Sequence, residues 1–330
     1  MIKHPLTSPD DVTDDAVKAK ETAVYKLAAI YKEKSLVEEL LQLQKAILPL
    51  FIDLPKSKTA KIVRTLFDLT LGIPQAVEGR TKDLVGLCHY IIEWCDKESR
   101  SFLRMRIENK LADLYFKLTK YADALDILRK LVYELKKKED KMLMVEAQLV
   151  ESKVFHALEN LPKAKAALTA VKTTANSIYV VPALQAEIDM MSGLIATDEK
   201  DYTTAYSYFY ETFEGYRSLG ENDKAAHAFK FMLFSKIMNK QSEDALNLLN
   251  SAVALKYQNR HSEAMKEVAQ ANKQQNLLAF ERCKEHYKQE LLGDEVIKRH
   301  FTLLYSSLLE DNLRKIIEPY SEVQIAYVAH

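Results

Sequence analysis

The sequence predicts an all-α protein: a right-handed α-solenoid of antiparallel helix pairs with a period of about 40 residues, followed by a helical subdomain of different pattern. Three observations predict it. The 330 residues include only 7 glycines and 8 prolines, against average usage of about 7% and 5%, so breaks and tight turns should be few and helices long. Apolar residues recur at helical spacing along most of the chain. One five-position pattern also aligns three times, at offsets of 40 and 41 residues.

Taken in chain order, a faint copy of that pattern opens the array at Ala28, Tyr31, Val37 and Leu40. The stretch 57–97 should hold one further pair, SKTAKIVRTLFDLTL and TKDLVGLCHYIIEWCDK. Residues 101–118 place Leu103, Ile107, Leu111, Leu114, Tyr115 and Leu118 on one helical face, and 121–135 continue with Leu125, Leu128, Val132 and Leu135. Only a few polar residues separate these two helices, so they must be antiparallel neighbours. Lys136, Lys137 and Lys138 then fall where a helix macrodipole favours cations.

The clear copies read Ala112, Tyr115, Tyr121, Ala124, Leu128; then Ser152, Phe155, Leu161, Ala164, Leu168; then Gly193, Ala196, Tyr202, Ala205, Phe209. A small residue on each helix (Ala112 with Ala124, Ser152 with Ala164, Gly193 with Ala205) allows close approach, and large residues lock the pair on either side. A weaker copy spans Leu233–Leu249, with Leu233 in place of the small residue. Pro55, Pro74, Pro162 and Pro182 are expected between helices. The period exceeds the 34 residues of a tetratricopeptide unit, so the pairs are tetratricopeptide-like with helices of about 17 residues, near 26 Å long. Stacked pairs of this kind offer extended protein-binding faces. Past residue 250 the pattern changes, and helices are expected at 261–274, 276–292 and 294–317.

Composition narrows the function classes. Lys plus Arg and Asp plus Glu both number 47, and a balanced charge supplies no field to gather phosphates, which disfavours nucleic-acid binding. No apolar run approaches the ~20 residues of a membrane span, and the polar start MIKHPLTSPDDVTDD is unlike a signal peptide. Three cysteines build no disulfide framework. These features point to a reducing compartment, the cytoplasm and nucleus; a monomer is expected when the chain is isolated.

Catalytic, cofactor and metal signals are weak. Cys88 and Cys95 are about 10 Å apart along one helix, too far for a disulfide and without zinc spacing, so they read as apolar filler. Cys283 and His286 could offer two metal ligands but find no second pair in the sequence, and HSEAM at His261 lacks the second histidine of a metalloprotease helix. Nucleotide-binding glycine loops and a nucleophile elbow are missing from the sequence. No catalytic, cofactor-binding or metal residue is therefore assigned. Tyr202, Tyr206, Phe209, Phe213 and Tyr216 form a stripe that reads as a buried repeat face, against the alternative of a stacking platform or peptide groove. Tyr208 and Tyr210 leave that stripe and are the better interface candidates. Lys56, Lys58, Lys61 and Arg64 form a basic stripe, either a solvated face or a contact for an acidic partner.

Four blocks carry a resemblance: 161–179 (LPKAKAALTAVKTTANSIY), 204–216 (TAYSYFYETFEGY), 231–238 (FMLFSKIM) and 308–325 (LLEDNLRKIIEPYSEVQI). They resemble the PCI-domain lid subunits of the 26S proteasome regulatory particle, in the non-ATPase six branch. The resemblance implies a non-catalytic subunit serving ubiquitin-dependent degradation. Its helical rod would brace the lid against an ATPase-ring subunit and an outer α-type core-particle subunit, and its PCI end would pack beside other lid PCI subunits. Residues 1–250 would then be the rod, 251–318 the PCI helical subdomain, and 319–330 the start of a truncated winged helix, with a first strand at Val323–Ile325. On this comparison the chain begins late and stops at His330, and a fragment is expected. The alternatives are a scaffold like COP9 signalosome subunit two, which has a similar aromatic stripe but nothing like TTANSIY, and a nucleic-acid-binding PCI protein. An enzyme would need converging polar groups that the sequence does not supply.

Overall fold

A computed structural model describes residues 14–48, 56–73, 79–251 and 254–322, without the side chains of 14–20, 56 and 57. Among the described residues there are sixteen α-helices, one 3₁₀ turn and no strand. The chain divides into two compact units, Met1–Val154 and Phe155–His330. That division is separate from the change of repeat pattern expected near residue 250.

The first unit holds α1 (Asp14–Glu33), α2 (Val37–Ile47), α3 (Lys56–Leu71), α4 (Thr81–Lys97), α5 (Ser101–Lys117), α6 (Tyr121–Lys138) and most of α7 (Lys141–Ala157). Its core is mainly aliphatic, with Leu40, Leu66, Leu84, Leu87, Ile91 and Leu111 around Phe67 and Trp94. Ala28 of the faint first copy has no exposed surface.

The second unit contains α8 (Leu161–Ala175), α9 (Pro182–Asp198), α10 (Tyr202–Leu219), α11 (Asn222–Met238), α12 (Ser242–Leu249), the 3₁₀ turn Ala254–Tyr257, α13 (Arg260–Gln274), α14 (Leu277–His286), α15 (Lys288–Leu292) and α16 (Glu295–Ile317). Its core is aromatic. Phe209 stacks on Phe231 at 5.1 Å, Phe213 meets Tyr257 edge-on, and Phe280 stacks on Phe301 at 4.6 Å.

The turns explain how a glycine-poor chain folds back so often. Thr119, Glu159, Lys200 and Lys240 all take left-handed backbone conformations, with φ of 59°, 56°, 63° and 59°. At each, the next residue's N–H reaches back to the carbonyl five positions before it, as from Lys120 to Tyr115 at 2.9 Å and from Asp201 to Ala196 at 3.0 Å. This is the Schellman ending of a helix, usually built with glycine. The following residue is already the N-cap of the next helix, and Asn160 and Asp201 accept hydrogen bonds from Lys163 N and Thr204 N. Ser35, Ser99 and Gln275 repeat the device. The expectation of few tight turns is thus corrected: the turns are tight, and non-glycine residues carry the conformational cost. The weak copy at Leu233–Leu249 shares this turn at Lys240.

Two further expectations change. Pro162 and Pro182 lie inside the first turns of α8 and α9, not between helices, because a first-turn N–H needs no helical partner and proline's fixed φ suits that position. The helix expected over 276–292 is broken at Tyr287, with φ −107° and ψ 37°. The Tyr287 ring is buried there and its hydroxyl donates to Glu267 at 3.1 Å. Pro55, Pro74 and the strand expected at Val323–Ile325 lie outside the described residues.

Candidate interaction surfaces

The basic stripe lies on α3. Lys56 opens the helix, its side chain outside the described set; Lys58 is half-buried; Lys61 and Arg64 are exposed. Arg64 lies 3.7 Å from Asp68 one turn on, and Lys110 of α5 lies 3.7 Å from the same carboxylate. Lys61, Arg64 and Asp68 line an open groove of about 590 Å³ whose far wall is Arg106. A second, smaller cavity between α3, α5 and α7 shares Arg64, Asp68 and Arg106 with it and adds Lys110 and Glu146. Asn109 donates to Glu146 at 3.2 Å. Burial raises the Glu146 carboxyl above its ordinary value, opposed by Lys110, Arg106 and Arg64. The sequence reading found Lys61 and Arg64 but missed Arg106 and Lys110. Their four-residue spacing on a helix was the available signal.

On α10, Phe209, Phe213 and Tyr216 are buried while Tyr202 and Tyr206 are half-buried. Tyr208 is half-buried, and Lys172 of α8 donates to its hydroxyl at 3.1 Å and sits 4.3 Å from its ring centre. Tyr210 is exposed and stacks on Tyr206.

The six small residues of the repeat pattern, Ala112, Ala124, Ser152, Ala164, Gly193 and Ala205, are all buried. At Gly193 the reason for a small residue is visible, since a Cβ there would lie 2.5 Å from the Phe209 ring. The glycine makes room for an aromatic ring of the partner helix.

The sequence did not reveal two acid-centred clusters. Asp198, at the end of α9, receives His156 Nε2 at 2.7 Å, His300 Nε2 at 3.0 Å and Arg299 at 3.3 Å. The other ring nitrogen of His300 lies 3.2 Å from the Tyr202 hydroxyl. Burial alone would raise the Asp198 carboxyl, but the hydrogen bonds from His156 and His300 and the nearby positive charge hold it well below the usual carboxylate range. Asp294 caps α16 through Val296 N at 3.1 Å and pairs with the buried Lys230 of α11 at 3.2 Å. It too is held low, against burial, by His227 and Lys230. Both clusters tie α16 to repeat helices.

Cys88, Cys95 and Cys283 are buried, and burial pushes each thiol up to about 12. Among the described residues no group of three His, Cys, Asp or Glu side chains is placed to hold a metal ion. No helix among them is long and apolar enough to cross a membrane.

Comparison with known proteins places these features in a family. The N-terminal domain of the 26S proteasome regulatory subunit RPN6 matches residues 2–118. The 26S proteasome non-ATPase regulatory subunit 11 homolog of Arabidopsis thaliana is 42% identical over 329 residues, covering 100% of this chain and 76% of the relative. The chain belongs to the RPN6 family. Other RPN6 relatives agree: the probable subunit rpn6 of Schizosaccharomyces pombe is 41% identical, covering 100% of this chain and 77% of its own. RPN6 of Saccharomyces cerevisiae is 38% identical over 96% of this chain and 73% of its own. The chain thus spans about three quarters of the length of these RPN6 proteins, and the resemblance read from the four sequence blocks holds at family level. A crystal structure of a Rap protein complexed with competence and sporulation factor superposes with a TM-score of 0.53 at 12% identity, covering 90% of this chain and 99% of that one. At that identity it speaks for the helical-repeat fold alone.

Proposed function

We propose that this chain is a non-catalytic scaffold subunit of the proteasome lid, working in the cytoplasm and nucleus in ubiquitin-dependent degradation. Its repeat helices, residues 1–250, brace the lid against an ATPase-ring subunit and an outer α-type core-particle subunit. Residues 251–318 serve as a PCI helical subdomain beside other lid PCI subunits. The observation that carries this reading is identity of about 40% over the whole chain to proteasome regulatory subunits. The chemistry of the described side chains supports it. The clustered carboxylates Asp198 and Asp294 are committed to histidines, arginine and lysine that join helices, whereas an active site needs polar groups converging on a cleft.

The test is affinity purification of the tagged chain from cells that express it, with partners identified by mass. Lid, ATPase and core-particle subunits are expected. Cullin-associated partners would assign the chain to a signalosome-like scaffold, and recovery of RNA without lid subunits would overturn the scaffold reading.

A further inference from the structure

The α3–α5–α7 groove is a charged channel in the first unit whose cations outnumber its anions. Lys61, Arg64, Arg106 and Lys110 give four positive charges against two carboxylates, Asp68 and Glu146, an excess of two. Asp68 already serves two of the cations, Arg64 and Lys110, each at 3.7 Å. Lys61 stands at the open mouth and is exposed. Arg106 lines both the open groove and the smaller cavity beside it. A planar guanidinium is the side chain that takes a carboxylate by two parallel hydrogen bonds. Apolar walls of the smaller cavity, Phe67, Leu103 and Leu143, would strengthen such a contact by excluding water.

We infer that this groove is a docking site for an acidic peptide segment of a partner subunit, with a carboxylate of the segment seated on Arg106 between Lys61 and Lys110. The inference rests on the scaffold reading and names the chemistry of one of its contacts. A peptide is favoured over nucleic acid for two reasons on the page. The cations are gathered in one short recess rather than along a track, which a phosphate backbone would need, and the apolar walls Phe67, Leu103 and Leu143 suit an amino-acid side chain more than a sugar-phosphate.

The experiment titrates the full chain with a fluorescein-labelled oligoglutamate peptide, followed by anisotropy at low and at physiological salt. The expected result is saturable binding that weakens as salt rises, because exposed charges are screened beyond about 8 Å at physiological ionic strength. Arg106→Glu should weaken binding by about tenfold or more, and Arg106→Lys should fall between it and wild type, since lysine keeps the charge and loses the fork. Lys61→Glu, on the exposed rim, should also weaken binding and guards against a folding defect at Arg106. Arg129→Glu, an exposed charge outside the groove, is the control. Equal binding by Arg106→Glu, Lys61→Glu and Arg129→Glu would overturn the assignment. So would tighter binding of a single-stranded RNA of equal charge. Co-purification of the wild-type chain with lid subunits reports on the scaffold reading separately. Normal co-purification beside a flat titration removes the groove alone.

Discussion

The α5–α6 hairpin of the first unit and the α9–α10 hairpin of the second are copies of one backbone with different chemistry on it. Both reverse direction at a left-handed non-glycine residue, Thr119 in one and Lys200 in the other, and both close the turn with the same backbone hydrogen bond. The small position is Ala112 in the first and Gly193 in the second, and the large position sixteen residues on is Leu128 and Phe209. The smaller residue faces the larger partner, so packing volume is shared out differently within the same frame. At the last turn of the first helix, Lys117 makes an exposed pair with Asp113, while its counterpart Asp198 is half-buried and engaged by two histidines and an arginine. The repeat therefore fixes the backbone, and single substitutions decide whether a given copy stays free at its turn or receives another helix. Asp198 is such a receiving point, because His300 and Arg299 belong to α16.

The largest expected effect tests that difference. Asp198→Asn keeps the shape but removes the charge that two histidines and an arginine face, and should cost about 3 kcal/mol at neutral pH. Lys117→Ala at the matching position should stay within about 0.5 kcal/mol. The pH dependence has a definite sign. The folded Asp198 carboxyl is held below its unfolded value of about 3.9, so its contribution is fully present above about pH 4 and is lost as pH falls further. Urea unfolding of both proteins should show a gap above about pH 4 that closes as pH falls further. A gap that instead widens in acid would mean the cluster does not hold the aspartate ionised.

The volume exchange gives the next effect. Gly193→Ala should destabilise by about 1–3 kcal/mol, since the new Cβ meets a ring that is itself stacked on Phe231. The gain in helix propensity, up to about 1 kcal/mol, offsets part of this. Adding Phe209→Leu recreates the alanine–leucine pairing of the α5–α6 hairpin and should recover much of the loss, so the double-mutant cycle should show coupling of opposite sign to either change alone. Additive losses would mean that the ring and the glycine do not share one space.

How much of this was legible depends on the range of each interaction. Helices and their pairing were readable because a 3.6-residue period and a 40-residue repeat are patterns along the chain itself. The basic stripe was half readable: Lys61 and Arg64 lie a turn apart, but Arg106 and Lys110 reach the same groove from another helix. The Asp198 cluster was not readable at all, since its partners are 42 and 102 residues away and nothing local marks an aspartate at a helix end as the centre of a cluster. The turns fall in between. Their positions follow the repeat, yet Thr119, Glu159, Lys200 and Lys240 share no residue type that announces a left-handed conformation. That gives a smaller prediction: Lys200→Gly relieves the backbone strain at the cost of a freer unfolded chain, and should raise stability by about 0.5–1 kcal/mol in thermal unfolding. Alanine there should do nothing of the kind, because it keeps the Cβ that creates the strain.

The smallest effect concerns a half-buried carboxylate of the first unit, and it runs opposite to Asp198. Glu146 lies in the groove with Asn109 donating to it, and no cation pairs with it within 4 Å among the described residues. Burial raises its carboxyl even though Lys110, Arg106 and Arg64 pull it down. A raised carboxyl binds its proton more tightly in the folded state, so the ionised form costs stability at neutral pH and the cost fades as pH falls through the folded value. Glu146→Gln removes that cost while its amide oxygen still accepts from Asn109. The variant should be as stable as wild type or more so, by up to about 1 kcal/mol at neutral pH, and the difference should vanish in acid. Trp94, the chain's one tryptophan, is buried in the same unit and reports its unfolding by fluorescence. Destabilisation by Glu146→Gln at neutral pH would show that the three cations gain more from this carboxylate than its burial costs. The groove would then be balanced from within, with less positive charge to offer an acidic partner.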